Sequence, residues 1–164
     1  MLRQMTESER EKFFGPLPKV LGLKDGTYDY GDAGVEWEFE NLVMVKLPVS
    51  ILTYRGITRK VSCNRAIAGS LEMAFNAIFA AILWDDIVFY GGCYMPRPMR
   101  NSNIPSDHAW GIAIDLNPEQ NALGTLGAAP SKYGSLHRIA PIMLAHGFIQ
   151  RPNDPMHFGP GVET

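Results

Sequence analysis

Two histidines stand among residues that suit metal chemistry. His108 lies in Ser106-Asp107-His108-Ala109-Trp110-Gly111-Ile112-Ala113-Ile114-Asp115, and His157 lies in Asp154-Pro155-Met156-His157-Phe158. Asp115 closes an apolar run, where an unpaired carboxylate would carry a heavy desolvation cost. A cation beside it removes that cost. Two imidazoles and one carboxylate suit Zn²⁺ and leave its fourth tetrahedral position open to water, whose pKa falls toward ~7 on binding. The helical His-Glu-x-x-His arrangement is absent, so His108, Asp115 and His157 must come from separate elements.

Asp154 precedes His157 by three positions. On a turning or extended segment that offset sets its carboxylate beside the metal's water rather than on the metal, as a general base. Arg97 and Arg100 lie upstream of His108. A guanidinium there could stabilise an oxyanion or grip a substrate carboxylate. Each residue alone has a plainer reading. His108 could be a hydrogen-bonded structural histidine, Asp115 the cap of the Asn117-Pro118 turn, Asp154 a turn starter before Pro155, and the two arginines a solvated loop face. His137 and His146 suit helix packing or dipole roles better than catalysis.

The elements that must position these groups read as a mixture. Thr6-Glu7-Ser8-Glu9 predicts a capped helix through Lys12 and Phe13, stopped by Pro16 and Pro18. Residues 42–47 read as a strand closed by Pro48, and Ile57 to Cys63 as a second. Ile67, Leu71, Ala74, Phe75, Ile78, Phe79 and Ile82 recur at three- and four-residue steps, predicting a core-packing helix over 65–84. Residues 87–94 read as a strand whose Gly91-Gly92 pair allows a bulge or close backbone approach. Then come a loop over 95–107, a short strand 111–115, a Gly/Ala-rich loop over 120–134, and a helix from Ser135 to Ala145 ended by Gly147. The tail is turn-rich. Without regular βαβ alternation, the class is α+β.

At 164 residues, with 46% hydrophobic and 20% charged side chains, the chain can bury a core as one domain, 1–164, with residues 1–40 an N-terminal extension of unclear role. A net charge of −2 gives no general attraction to nucleic acid. No transmembrane segment and no secretory signal are legible, so synthesis in the cytoplasm is expected. Cys63 and Cys93 make no zinc ribbon and are expected as buried, reduced thiols.

The two motifs together resemble the zinc D-alanyl-D-alanine carboxypeptidase family, which includes the vancomycin-resistance D,D-peptidases and the L-alanyl-D-glutamate endopeptidases of phage lysis enzymes. The family pattern, Ser-x-His-x-x-Gly-x-Ala-x-Asp followed by an acidic residue three before a final His, is met by Ser106, His108, Gly111, Ala113, Asp115, Asp154 and His157. The likeness spans about residues 60–158. It implies zinc on His108, Asp115 and His157, Asp154 as base, and an arginine steadying the polarised carbonyl, placed at Arg97 with Arg100 as second choice. It also implies a role for Ser106 in orienting substrate or a ligand. The implied fold is a central antiparallel sheet flanked by helices, shared with Hedgehog domains. The implied substrate is the peptidoglycan stem peptide, cut by a monomer. Asp154 stands where many members carry Glu, which likens the chain to the phage-type branch, as does the missing export signal. Gln150-Arg-Pro-Asn lacks the Trp- and Gly-rich segment many members have before the final acid. The expected activity is L-alanyl-D-glutamate endopeptidase, with D,D-carboxypeptidase or dipeptidase, or a non-catalytic zinc-stabilised module, as alternatives.

Overall fold

A computed structural model describes residues 2–164, and the element order is mixed from the start. Strand β1 (Leu2–Gln4) leads into helix α1 (Glu7–Phe14), the hairpin β2 (Gly22–Lys24) and β3 (Thr27–Asp29), and helix α2 (Asp32–Asn41). Long strands β4 (Leu42–Thr53) and β5 (Gly56–Asn64) precede helix α3 (Arg65–Ala80) and strand β6 (Tyr90–Gly92). The rest is β7 (Ile114–Leu116), α4 (Ala140–Ala145), β8 (Phe148–Arg151) and β9 (Asp154–Glu163). The larger sheet runs β1-β9-β7-β6-β4-β5, with β8 also on β9. Among the described residues only the single β4–β6 bridge is parallel. The fold is α+β with a mostly antiparallel sheet.

Local chemistry accounts for several of these elements. Thr6 accepts from the Glu9 N–H while the Glu9 carboxylate accepts from the Thr6 N–H, a complete capping box for α1. Helix α3 begins where the Asn64 side chain accepts from the Ala66 N–H, and it buries Ile67, Leu71, Ala74, Phe75 and Ile78. These pack with Trp110, Ile112, Ile114, Leu116 and Phe158 in one core. Cys63 and Cys93 are buried free thiols. No described helix is long and apolar enough to cross a membrane.

Four expectations need correction. Pro48 does not close the strand: β4 continues to Thr53, and its register against β5 shifts between Lys46 and Ile51, where a proline lacking an N–H costs no ladder bond. Helix α3 stops at Ala80, leaving Phe79 half-exposed and Ile82 exposed at φ 60°. The strand predicted over 87–94 contracts to Tyr90–Gly92. The helix predicted from Ser135 begins only at Ala140, with Pro141 in its first turn, where the missing N–H is harmless.

The tail and the first forty residues also acquire structure. Residues 148–163 form a hairpin around Pro152 and Asn153, and β1 pairs with the far end of β9, Leu2 opposite Glu163.

Candidate metal centre

His108 sits on a 3-10 turn, Asp107–Trp110, capped by Ser106, whose buried hydroxyl oxygen lies 3.4 Å from the His108 N–H it accepts. The turn ends at Gly111 with φ 64°, the left-handed conformation glycine adopts freely. A Cβ there would come within 2.9 Å of Leu42 Cδ2. The Gly111 carbonyl accepts from the Asn64 N–H, and the Asn64 amide donates to the Trp110 carbonyl. The end of β5 thereby pins the turn. Four residues past Gly111, β7 carries Asp115, and β9 places His157 directly opposite it. The two strands therefore deliver one carboxylate and one imidazole as cross-strand neighbours. On the other side, β6 shifts register against β7 between Tyr90 and Gly92. A Cβ on Gly91 would lie 3.0 Å from Asp115 Cβ, so the glycine permits the close approach.

The three side chains converge. His108 Nε2 is 3.1 Å from His157 Nδ1 and 3.3 Å from Asp115 Oδ2, and His157 Nδ1 is 3.3 Å from Asp115 Oδ1. These three residues form a group able to hold a metal ion. Ligands about 2.0–2.1 Å from a tetrahedral zinc are separated by about 3.3 Å, so the spacing fits.

The outer ring nitrogens strengthen the fit. His108 Nδ1 is 2.7 Å from the Cys93 carbonyl, and His157 Nε2 is 3.3 Å from Asp107 Oδ2. A carbonyl and a carboxylate only accept, so each imidazole carries its proton outward and turns a bare lone pair inward. Asp115 Oδ1 is buried without a hydrogen-bond partner. Three lone-pair donors facing one another call for a cation.

Burial pushes the Asp115 carboxyl up, but the adjacent His108 and His157 rings outweigh it and hold the group well below the usual carboxylate range. Burial also raises Asp107, and it too ends well below that range, held down by His157, Arg151 and Arg10. Burial pushes the His157 imidazole down, yet Asp107 and Asp115 leave its pKa raised.

Asp154 begins β9 and feels the charges of His157, Asp115 and His108. Burial pushes its carboxyl above the usual range, and the negative charge of Asp115 adds to this against the pull of His157. Its Oδ1 is buried without a partner. Arg97 and Arg100 line a cleft of about 360 Å³ with Asp115, Tyr54, Leu123 and Met156. The Arg97 carbonyl accepts from the Ser106 N–H, and a bridge between Pro98 and Pro105 folds the loop back beside the His108 turn. His137 is exposed, and neither it nor His146 joins the group.

Residues 100–159 match the family model of D-alanyl-D-alanine carboxypeptidase. The matched stretch, just over a third of the chain, contains all three converging residues and Asp154. The match supports a peptidase, and the His-Asp-His group makes a metal-dependent one the natural form. No curated protein and no solved structure matched the chain.

Sequence reasoning passed over Asp107, Arg10 and Arg151 as functional residues. Arg10 Nη1 lies 2.7 Å from Asp107 Oδ1, and Arg151 Nη2 lies 2.5 Å from Asp107 Oδ2. Asp107 falls at a variable position of the motif, and no local pattern links it to an arginine 97 positions away.

Proposed function

We propose that this protein is a zinc metallopeptidase hydrolysing the stem peptides of bacterial peptidoglycan, with His108, Asp115 and His157 as metal ligands. The observation that carries this reading is the set of inward lone pairs at 3.1–3.3 Å, each imidazole fixed from behind, beside a carboxyl that ligates nothing. Zinc held there would acidify water and polarise the scissile carbonyl.

The remaining work falls to the chain. Asp154, with a free, buried oxygen and a carboxyl raised by burial, takes the proton from attacking water and passes it to the leaving amine. A structural metal site has no use for such a group, which weighs against a non-catalytic module. Arg97, tied by its carbonyl to the Ser106 end of the His108 turn, offers a guanidinium to the developing oxyanion. Ser106, buried and capping that turn, serves to orient His108.

Within this class the reading is an L-alanyl-D-glutamate endopeptidase of the phage lysis type, acting as a monomer on the wall and not on nucleic acid. The Asp in place of Glu at 154 supports it. One observation favours the alternative D-alanyl-D-alanine carboxypeptidase: Arg100 shares the cleft with Arg97, and a second cation there could receive a free C-terminal carboxylate. Digestion of purified peptidoglycan, followed by mass spectrometry of the new termini, separates them. New D-glutamate amino termini support the endopeptidase, and released D-alanine the carboxypeptidase. An undigested wall with zinc-loaded protein refutes both.

A further inference from the structure

The helix closest to the N-terminus lies far from the matched motif in sequence, yet it is bound to the metal centre at three points. Arg10, buried at 4% exposure, places Nη1 2.7 Å from Asp107 Oδ1. Its guanidinium carbon lies 5.2 Å from the Trp110 ring centroid, a cation–π distance. The Trp110 indole N–H donates to the Gly15 carbonyl at the end of α1. Asp107 and Trp110 are the first and last residues of the turn that carries His108. On the opposite side Arg151, from the strand leading into the β8–β9 turn, reaches the other oxygen of the same carboxylate.

Asp107 thus stands between two guanidiniums and the outer nitrogen of His157. Burying an ion pair gains little net stability over apolar packing, so the pair's stabilising contribution does not by itself account for it. A directional role does. A carboxylate can only accept from the His157 ring, and a ring that donates from Nε2 has Nδ1 free. Two arginines fixed on Asp107 keep the carboxylate from turning toward any other donor. Gly159 leaves room for this contact, since a Cβ there would lie 3.2 Å from Asp107 Oδ2 and 3.4 Å from His157 Nε2.

We propose that α1 is a working part of the metal centre: Arg10 and Arg151 clamp Asp107 against Nε2 of His157, so that His157 presents Nδ1 to the metal. Arg10, Arg151 and Asp107 are positioning residues. The inference rests on the metal-site reading above, and it makes residues 5–15 a determinant of metal affinity.

The test is zinc affinity, measured by competition with a chromophoric chelator, in wild type and in Arg10→Met, Arg10→Lys and Asp107→Asn. Losing a hydrogen-bonding partner behind a ligating histidine typically weakens metal binding roughly 10–100-fold. That loss is expected in Arg10→Met and Asp107→Asn, with part of it recovered in Arg10→Lys. Arg3→Ala, which removes the exposed Arg3–Glu9 pair and a local bond to the Gln4 carbonyl in the same region, should leave affinity unchanged. A purely structural Arg10 would lower the Tm of Arg10→Met and leave its zinc Kd within twofold of wild type, and that result overturns the proposal. Should Arg10→Met not fold, nitrogen-15 spectra of the wild-type His157 ring decide: a proton on Nε2 in the zinc-loaded protein supports the clamp, and a proton on Nδ1 overturns it. Failure of wild type to take up zinc would instead refute the metal-site reading itself.

Discussion

Across 3.1 Å, Nε2 of His108 faces Nδ1 of His157, the two rings nearly perpendicular at 87°. With both rings neutral neither nitrogen has a proton to give, because the Cys93 carbonyl and the Asp107 carboxylate hold the single proton of each on its far side. Unlike an ordinary histidine pair, this arrangement is complete only when a cation lies between the rings. Asp115 supplies the third edge of the same triangle.

Removal of one corner should therefore abolish tight binding. His108→Ala is expected to lower zinc content from near one per chain to a small fraction, as measured by elemental analysis after dialysis. Full occupancy in that variant would contradict the ligand set.

Asp154 is expected to behave differently. Asp154→Ala should keep its zinc and its Tm, because the carboxylate bonds to nothing through its buried Oδ1. Its peptidoglycan hydrolysis should fall by roughly 10²–10⁴-fold, the range for a lost general base. Wild-type rates in the variant would remove Asp154 from the chemistry.

Stability of the metal-free protein should depend on pH, and the gain on zinc loading should change with pH in the opposite direction. In the metal-free protein His157 is raised above its ordinary 6.5, while Asp107 and Asp115 are lowered below 3.8. A raised imidazole stabilises the fold below the unfolded value and loses that contribution as pH climbs through the folded value. Lowered carboxylates stabilise above their unfolded value and lose that contribution as pH falls through the folded one. Metal-free Tm should thus be highest between about pH 4 and 6.5 and decline above that window as the His157 ring loses its proton. Zinc needs the deprotonated ring, so the gain in Tm on loading should grow over the same interval. A scanning-fluorimetry series in which the metal-free protein gains Tm above about pH 6.5 would contradict the assignment for His157.

Gly159 offers a steric probe that leaves every polar group in place. In Gly159→Ala the new methyl would press on Asp107 Oδ2 and His157 Nε2, at 3.2 and 3.4 Å. Asp107 cannot retreat, since Arg10 and Arg151 hold both its oxygens. Zinc affinity should drop severalfold in chelator competition. Unchanged affinity would mean that His157 tolerates displacement.

Much of the site was legible in the chain because its logic is local. Four spacings from Ser106 to Asp115 mark out two ligands and the residues between them, and the structure shows Ser106 capping the His108 turn, Gly111 in the left-handed conformation and Asp115 in the middle of β7. The capping box of α1 and the apolar face of α3 were legible for the same reason: both are set by neighbours three or four residues away. The late start of α4, at Ala140, was not legible in the same way, because the apolar pattern does not single out Pro141 as a first-turn residue. The continuation of β4 past Pro48 was a failure of another kind, since only the partner strand decides whether that N–H is needed.

The sequence by itself determined which atoms could bind a metal and how His108 and Asp115 are spaced. Tertiary structure alone decided which nitrogen of each histidine faces inward. It also decided that Arg10, from a helix far outside the metal motif, closes the shell behind His157. The physical reason is that a buried carboxylate takes its partners from whatever donors the fold brings within about 3 Å. Such encounters between distant segments leave no periodic trace along a chain.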